Sequence, residues 1–158
     1  MSTAQSRALK ALLHAPVYLY RWHLGWLLRR RFLLLRHTGH RTGQKREVVL
    51  EVMEYRKQVP EAVVMSGFGR KSSWLLNLQA HPGAEVQIGS QRWVASFRFL
   101  DAEEATAVVR SYESRNWLIL PVVRYVLSRL LGWRYSGSEQ ERRRLVSQLP
   151  LIAFRPKI

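Results

Sequence analysis

The chain has 158 residues, 47% of them hydrophobic, which suits one packed domain and excludes wholesale disorder. Lys and Arg number 26 against 11 Asp and Glu, a net charge of +15 that favours an anionic partner: nucleic acid, an acidic membrane face or a multiply charged small molecule. The lack of cysteine excludes a disulfide scaffold, a zinc ribbon and a thiol nucleophile.

The charge is concentrated at the start. Residues 1–46 hold ten Lys or Arg and no acid, Glu47 being the first. Tyr18, Trp22 and Trp26 recur there at helical spacing beside Leu19, Leu27 and Leu28. Residues 1–31 are therefore expected to form a basic, aromatic helical segment ahead of a domain over 32–158. Such a segment suits an anionic membrane surface, with Trp and Tyr at headgroup depth. It equally suits packing on the domain body, which the scatter of Arg21, Arg29, Arg30 and Arg31 around the helix favours. The same arginines interrupt the apolar stretch 16–35, so no spanning helix is expected, and no secretory signal is visible. The expected location is cytoplasmic, with peripheral contact at the inner membrane face left open.

From Phe32 the period shortens to that of strands. Phe32 to His37 is a short apolar run, and Arg46 to Glu54 alternates Val48, Leu50 and Val52 against Glu47, Val49, Glu51 and Met53. Glu61 to Ser66 is a third strand. Ala84 to Ile88 and Gln91 to Leu100 flank Gly89-Ser90, a two-residue hairpin connection. Leu151 to Phe154 closes the series. About six short strands with few crossover helices predict a mainly antiparallel sheet or small barrel of the α+β class. Helices fill the gaps. Ser72 or Ser73 can cap one through Leu78, and Asp101 with Glu104 can open another through Tyr112. Pro121 can start a third that Gly132 ends, and Ser138 with Glu141 a fourth before Pro150. The triple Arg142-Arg143-Arg144 reads as a solvated helix face.

Two stretches could carry chemistry. His37-Thr38-Gly39-His40-Arg41-Thr42-Gly43-Gln44-Lys45-Arg46 lies between two strands. Its glycines permit backbone N–H groups to converge on an anion, and its threonines and cations add donors. The residues alone leave an anion-binding loop and a basic hairpin turn equally open. In Met65-Ser66-Gly67-Phe68-Gly69-Arg70-Lys71-Ser72-Ser73-Trp74, a strand ends in glycines and a basic pair precedes a helix N-terminus, a second potential anion site. Trp74 and Leu78 would otherwise belong to the core. His14, His23, His37, His40 and His81 show no metal-ligand spacing, so no metal is expected. Asp101, the only Asp, reads as a helix cap, and Glu51 as an arginine partner. With so thin a catalytic inventory, an enzyme would take its chemistry from a cofactor.

Together these stretches resemble the deazaflavin (F420)-dependent nitroreductase family. The resemblance rests on Gly39-His40-Arg41-Thr42-Gly43 followed by the strand Arg46 to Val52. It continues through Ser66-Gly67, Arg70-Lys71, Trp74-Leu75-Leu76-Asn77-Leu78 and Pro82 to Gly89, covering about residues 32–100. His40 departs from the family's usual Arg or Lys, and Leu75-Leu76 from its frequent Tyr-His. The resemblance implies a split β-barrel with flanking helices that binds coenzyme F420. It implies hydride transfer to a quinone, a nitro compound or an activated double bond, with FMN or haem as alternatives in the same barrel. It assigns His40, Arg41, Thr42 and Arg46 to the cofactor's anionic tail and Val48, Val49 and Leu50 to the ring site. Met65, Ser66 and Gly67 would lie beside the ring, with Ser66 as the group bonding the acceptor. Ser73, Trp74, Leu75, Leu76 and Asn77 would close the site. The expected partner is a small-molecule hydride acceptor, the expected state a monomer or homodimer. A non-catalytic basic protein on membrane or nucleic acid is the alternative. Nucleic acid is not expected, since the aromatics do not line one strand face.

Overall fold

A computed structural model describes residues 30–158. Apart from Arg30 and Arg31, the basic segment expected over 1–31 lies outside the described residues. The strands are β1 (Phe32–Thr38), β2 (Lys45–Arg56), β3 (Glu61–Met65), β4 (Ala84–Ile88), β5 (Gln91–Phe99) and β6 (Leu151–Pro156). The helices are α1 (Ser73–Ala80), α2 (Ala102–Arg115), α3 (Leu120–Leu131) and α4 (Glu139–Gln148). All strand pairs are antiparallel, and the order β1-β2-β3-β6-β5-β4 closes into a barrel. This is the expected α+β split barrel.

Strand alternation sorts the side chains. Leu33 and Leu35 of β1, Val48, Leu50 and Val52 of β2 and Ile152 and Phe154 of β6 point inward. Leu75 and Leu78 of α1 complete this interior, both fully buried. Residues of opposite parity face outward. Met53, Val63, Leu151 and Ala153 form a second core with Val108, Val109 and Tyr112 of α2 and Leu145 of α4. The register shifts between Val52 and Glu54, a bulge beyond which β2 stays paired with β3 to Arg56.

Polar groups fix the helices on this frame. The Asp101 carboxylate accepts from the Glu104 N–H at 2.8 Å, but the Glu104 carboxylate turns to Arg56 and Arg98 instead of completing the box. At α4 the box is complete, between Ser138 and Glu141. Arg142 corrects the expected solvated face: it bonds the buried Glu113 at 3.0 Å, while Arg144 lies over the Trp133 ring and Arg143 is exposed. Glu51 meets Arg31 at 3.7 Å, as expected of an arginine partner, and also accepts from the Tyr112 hydroxyl at 2.7 Å. Among the described residues, no helix is long and apolar enough to cross a membrane.

Candidate active site

The face of β1 and β2 that lines the barrel interior changes character at its end. Leu33, Leu35 and then His37 share one side of β1, and Val48 and Arg46 share the matching side of β2, where His37 pairs with Arg46. The apolar interior therefore opens into a polar mouth. A groove of about 1150 Å³ occupies this mouth, bounded by β1, β2, the turn before α1, the start of α1, and β4 and β5. Its volume is that of a site for a cofactor-sized molecule.

One rim is a cross-strand charge network. Arg36 donates to Glu47 at 3.0 Å, to Glu85 at 2.8 Å and to Gln87 at 3.1 Å, and Arg92 approaches Glu85 at 3.4 Å. These charges are neutralised among themselves. Lys45 and Arg46 differ: among the described residues neither forms an ion pair, and Lys45 only donates to the Thr38 hydroxyl at 3.3 Å. Opposite them stands the start of α1. Ser72 occupies the N-cap, but its side chain does not cap. The Ser73 and Trp74 N–H groups thus stay available at a positive helix end. Ser73 and the half-apolar wall of Trp74 and Val48 face the same space.

Asn77 ties the two halves of the site together. Its Nδ2 donates to His37 Nδ1 at 2.9 Å, and its Oδ1 accepts from the His40 backbone N–H at 2.8 Å. Burial, with the Arg46 charge second, holds His37 below its ordinary pKa of 6.5. The imidazole is therefore neutral at pH 7. With Nδ1 accepting, its proton sits on Nε2.

The groove brings together Arg46, Val48, Ser73, Trp74 and Asn77 of the expected site residues. The others lie elsewhere. The loop 39–44 closes on itself, with Gly39 N–H donating to Gln44 O and Gly43 N–H to Gly39 O, both at 2.8 Å. The N–H groups of both glycines are therefore spent within the turn. Gly43 adopts the left-handed region there, with φ 67°, which favours glycine. Arg41 and Thr42 project outward, and His40 reaches the site only through Asn77. Val49 falls on the outer barrel face beside Leu34, because strand neighbours alternate. Leu50 and Leu75 fill the interior, Leu76 is exposed on the far side of α1, and Met65 packs on the second core. Ser66 is fully buried; its hydroxyl donates to Gly69 O at 2.7 Å and lies 2.5 Å from the Ser72 hydroxyl. Gly67 lines a smaller cavity of about 290 Å³ with Phe68 and Leu130, and Phe68 also borders the groove.

Residues that sequence reasoning did not place in the site include Arg36, His37, Glu85, Arg92 and Val94. A signal existed for His37, which follows Leu33 and Leu35 at the strand period. None existed for Arg92 and Val94, which arrive through the long-range pairing of β4 with β1 and β5. Among the described residues, no cluster of His, Cys, Asp or Glu could hold a metal.

A closed antiparallel barrel with an apolar interior and a cationic mouth defines a split-barrel protein. The sequence profile of the F420H(2)-dependent quinone reductase family matches residues 22–118. The chain belongs to that family; it is an F420-dependent reductase, with coenzyme F420 as its cofactor. Among solved structures, an F420-H2 dependent reductase (FDR-A) superposes with a TM-score of 0.51 and 20% identity, over 81% of this chain and 96% of that one. A domain-swapped dimer matches with a TM-score of 0.51 and 20% identity, over 81% of this chain and 82% of that one. A protein of unknown function from Agrobacterium tumefaciens str. C58 matches with a TM-score of 0.51 and 12% identity, over 92% of this chain and 56% of that one. At these identities the structures speak for the fold alone. No curated protein matches the chain in sequence.

Proposed function

We propose that the groove holds F420 with its anionic tail toward Lys45, Arg46 and the start of α1, and that the acceptor is a quinone. The observation that carries this is a pair of cations that have no acidic partner among the described residues, facing uncapped N–H groups across an apolar wall. A ligand with a planar ring and a tail of phosphate and carboxylates matches both features. The donor set present therefore fits the cofactor. When bound in its reduced form, F420 supplies a hydride from its deazaflavin ring.

The chain's own residues then bind and orient. Arg46 and Lys45 attract the tail, with the Ser73 N–H and hydroxyl as further donors. Val48 and Trp74 wall the ring site and keep water from it. His37, neutral and held by Asn77, adds no second charge beside Arg46 and leaves the mouth's field to Arg46 and Lys45. Ser66 does not touch the groove; it positions Ser72 through the hydroxyl pair. Phe68, 57% exposed, stands between the groove and the smaller cavity and gives the acceptor an aromatic wall. A quinone is the acceptor class named by the family, and the apolar surroundings of Phe68, Leu130, Leu131 and Leu149 suit one.

The test is a fluorescence titration of cofactor-free protein with F420 and, in parallel, FMN, followed by turnover of F420H2 with a quinone and with a nitroaromatic. Tight F420 binding and faster quinone turnover are expected. Preference for FMN would refute the cofactor assignment, and faster nitroaromatic turnover would refute the acceptor.

A further inference from the structure

The helix α3 has a composition at odds with its position. Seven of its twelve residues are Leu or Val, yet none is buried. Its inner side, Val123, Leu127 and Leu131, rests partly buried on the second core. Its outer side is a second apolar face. Leu118 in the preceding turn is 76% exposed, Val122 64% and Tyr125 60%, and they succeed one another at helical spacing. Trp117, 67% exposed, flanks this stripe, and Arg129 stacks on the Tyr125 ring at 5.3 Å. A stripe of this kind marks an interaction site.

Its charge decides the occupant. Between Glu113 and Glu139 the chain carries no acid; Arg129 stands on this face against the Tyr125 ring and Arg134 is exposed in the loop that follows, while Arg115 donates to the Met53 carbonyl and Arg124 lies against Gly137. A second copy laid on this face would oppose arginine to arginine and +15 to +15. An anionic lipid surface complements it instead. The apolar side chains would enter the acyl boundary, Trp117 and Tyr125 would sit at headgroup depth, and Arg129, with Arg134 beyond it, would meet lipid phosphates.

We propose that the face formed by Trp117, Leu118, Val122, Tyr125 and Arg129 docks the protein on anionic bilayers. The other end of the same helix, at Leu130 and Leu131, lines the cavity beside Phe68. Docking would therefore bring that cavity close to the lipid. The proposal stands whether or not the acceptor assignment holds.

The experiment is sedimentation of the full chain with phosphatidylcholine vesicles, with and without phosphatidylglycerol. The parent is expected to bind the anionic vesicles and to leave the neutral ones. Leu118→Glu with Val122→Glu should lower the partition coefficient about tenfold or more. Arg129→Gln with Arg134→Gln should lower it several-fold and flatten its salt dependence. All four positions are away from the groove, so F420 affinity and the melting temperature should stay at parent values in each variant. Should the glutamate pair lower the melting temperature, Leu118→Ser with Val122→Ser reads the same loss. Parent-level binding by the apolar variants refutes the proposal, as does equal binding to neutral vesicles. Self-association of the parent that these variants abolish, without vesicle binding, assigns the face to a second copy and also refutes it.

Discussion

Replacing Arg46 with alanine separates a groove that holds an anionic tail from a loop that does. Arg46 ends the inward face of β2 and lines the groove; Arg41 leaves the closed turn and lines nothing. Both are exposed, so their reach to solvent does not distinguish them. A cation about 4 Å from a ligand charge is worth about 1 kcal/mol in water and about 4 kcal/mol near a protein surface. Because Arg46 is exposed, the lower part of that range applies, about 1–1.5 kcal/mol, or about five- to tenfold in Kd. Arg46→Ala should weaken F420 binding by that factor and reduce its salt dependence, while Arg41→Ala should change it by about twofold or less. The assay is the fluorescence titration at two ionic strengths. An independent readout is the His37 imidazole. Burial, then the Arg46 charge, holds its pKa below 6.5, so in Arg46→Ala the NMR-detected value should rise without reaching 6.5. Equal losses for both variants, or a larger loss for Arg41→Ala, would return the tail to the loop and refute the reasoning.

Three further predictions concern the frame that holds the site. Folding lowers the His37 pKa, so below 6.5 the unfolded chain binds more protons and stability declines as pH falls; His37→Gln should flatten that limb of a denaturation series. Arg142→Ala leaves the buried Glu113 carboxylate without its cation, held by the Tyr135 hydroxyl, and should cost about 3 kcal/mol, whereas Arg143→Ala should stay within about 0.5 kcal/mol; chemical denaturation of both tests the split. Glu61, 1% exposed, collects Arg56, Arg98 and Arg155. Burial alone would raise its pKa, but hydrogen bonds from Arg98 and Arg155 outweigh that and hold it below 4.5. Its stabilisation is thus present above pH 4.5 and lost as pH falls; Glu61→Gln should cost about 2 kcal/mol at neutral pH and remove that acid dependence from melting curves.

Local chemistry was legible in the sequence and long-range register was not. The alternation of Val48, Leu50 and Val52 announced an inward face, and the same alternation put Val49 outside, since neighbours on a strand point apart. The Ser138–Glu141 box could be read because its two residues need only each other. The Asp101–Glu104 box was half realised, because Arg56 and Arg98 arrive from β2 and β5 and claim the glutamate. The glycines of loop 39–43 signal a turn, and the turn takes up the N–H groups of Gly39 and Gly43. Ser66 stood at the right place in the chain for a ring contact. Its orientation depended on Ser72 and Gly69, which the motif does not encode.

The distribution of charge explains how one basic chain can carry two anion-facing surfaces. Eight of the eleven acids form an ion pair with arginine in the barrel and its helices, and Asp101 and Glu141 cap helix starts. The acids are thus committed to the frame, and cations beyond their number cannot be neutralised internally. Some of that excess sits on aromatic rings, as Arg70 does on Phe99 and Arg144 on Trp133. Of the rest, Lys45 and Arg46 gather at the barrel mouth beside Val48 and Trp74, Arg129 lies on the outside of α3 against Tyr125, and Arg134 is exposed in the loop after it. A soluble anion with a flat ring matches the first pairing of charge and apolar surface. A lipid surface matches the second, because beneath its anionic headgroups it is apolar, as a nucleic-acid backbone is not. The two surfaces call for different salt responses: substitutions at Lys45 and Arg46 should alter the salt slope of cofactor binding and leave that of vesicle binding unchanged, and those on α3 the reverse. A single substitution that moved both slopes together would mean the two surfaces share one field, and that the net charge, not the local geometry, governs binding.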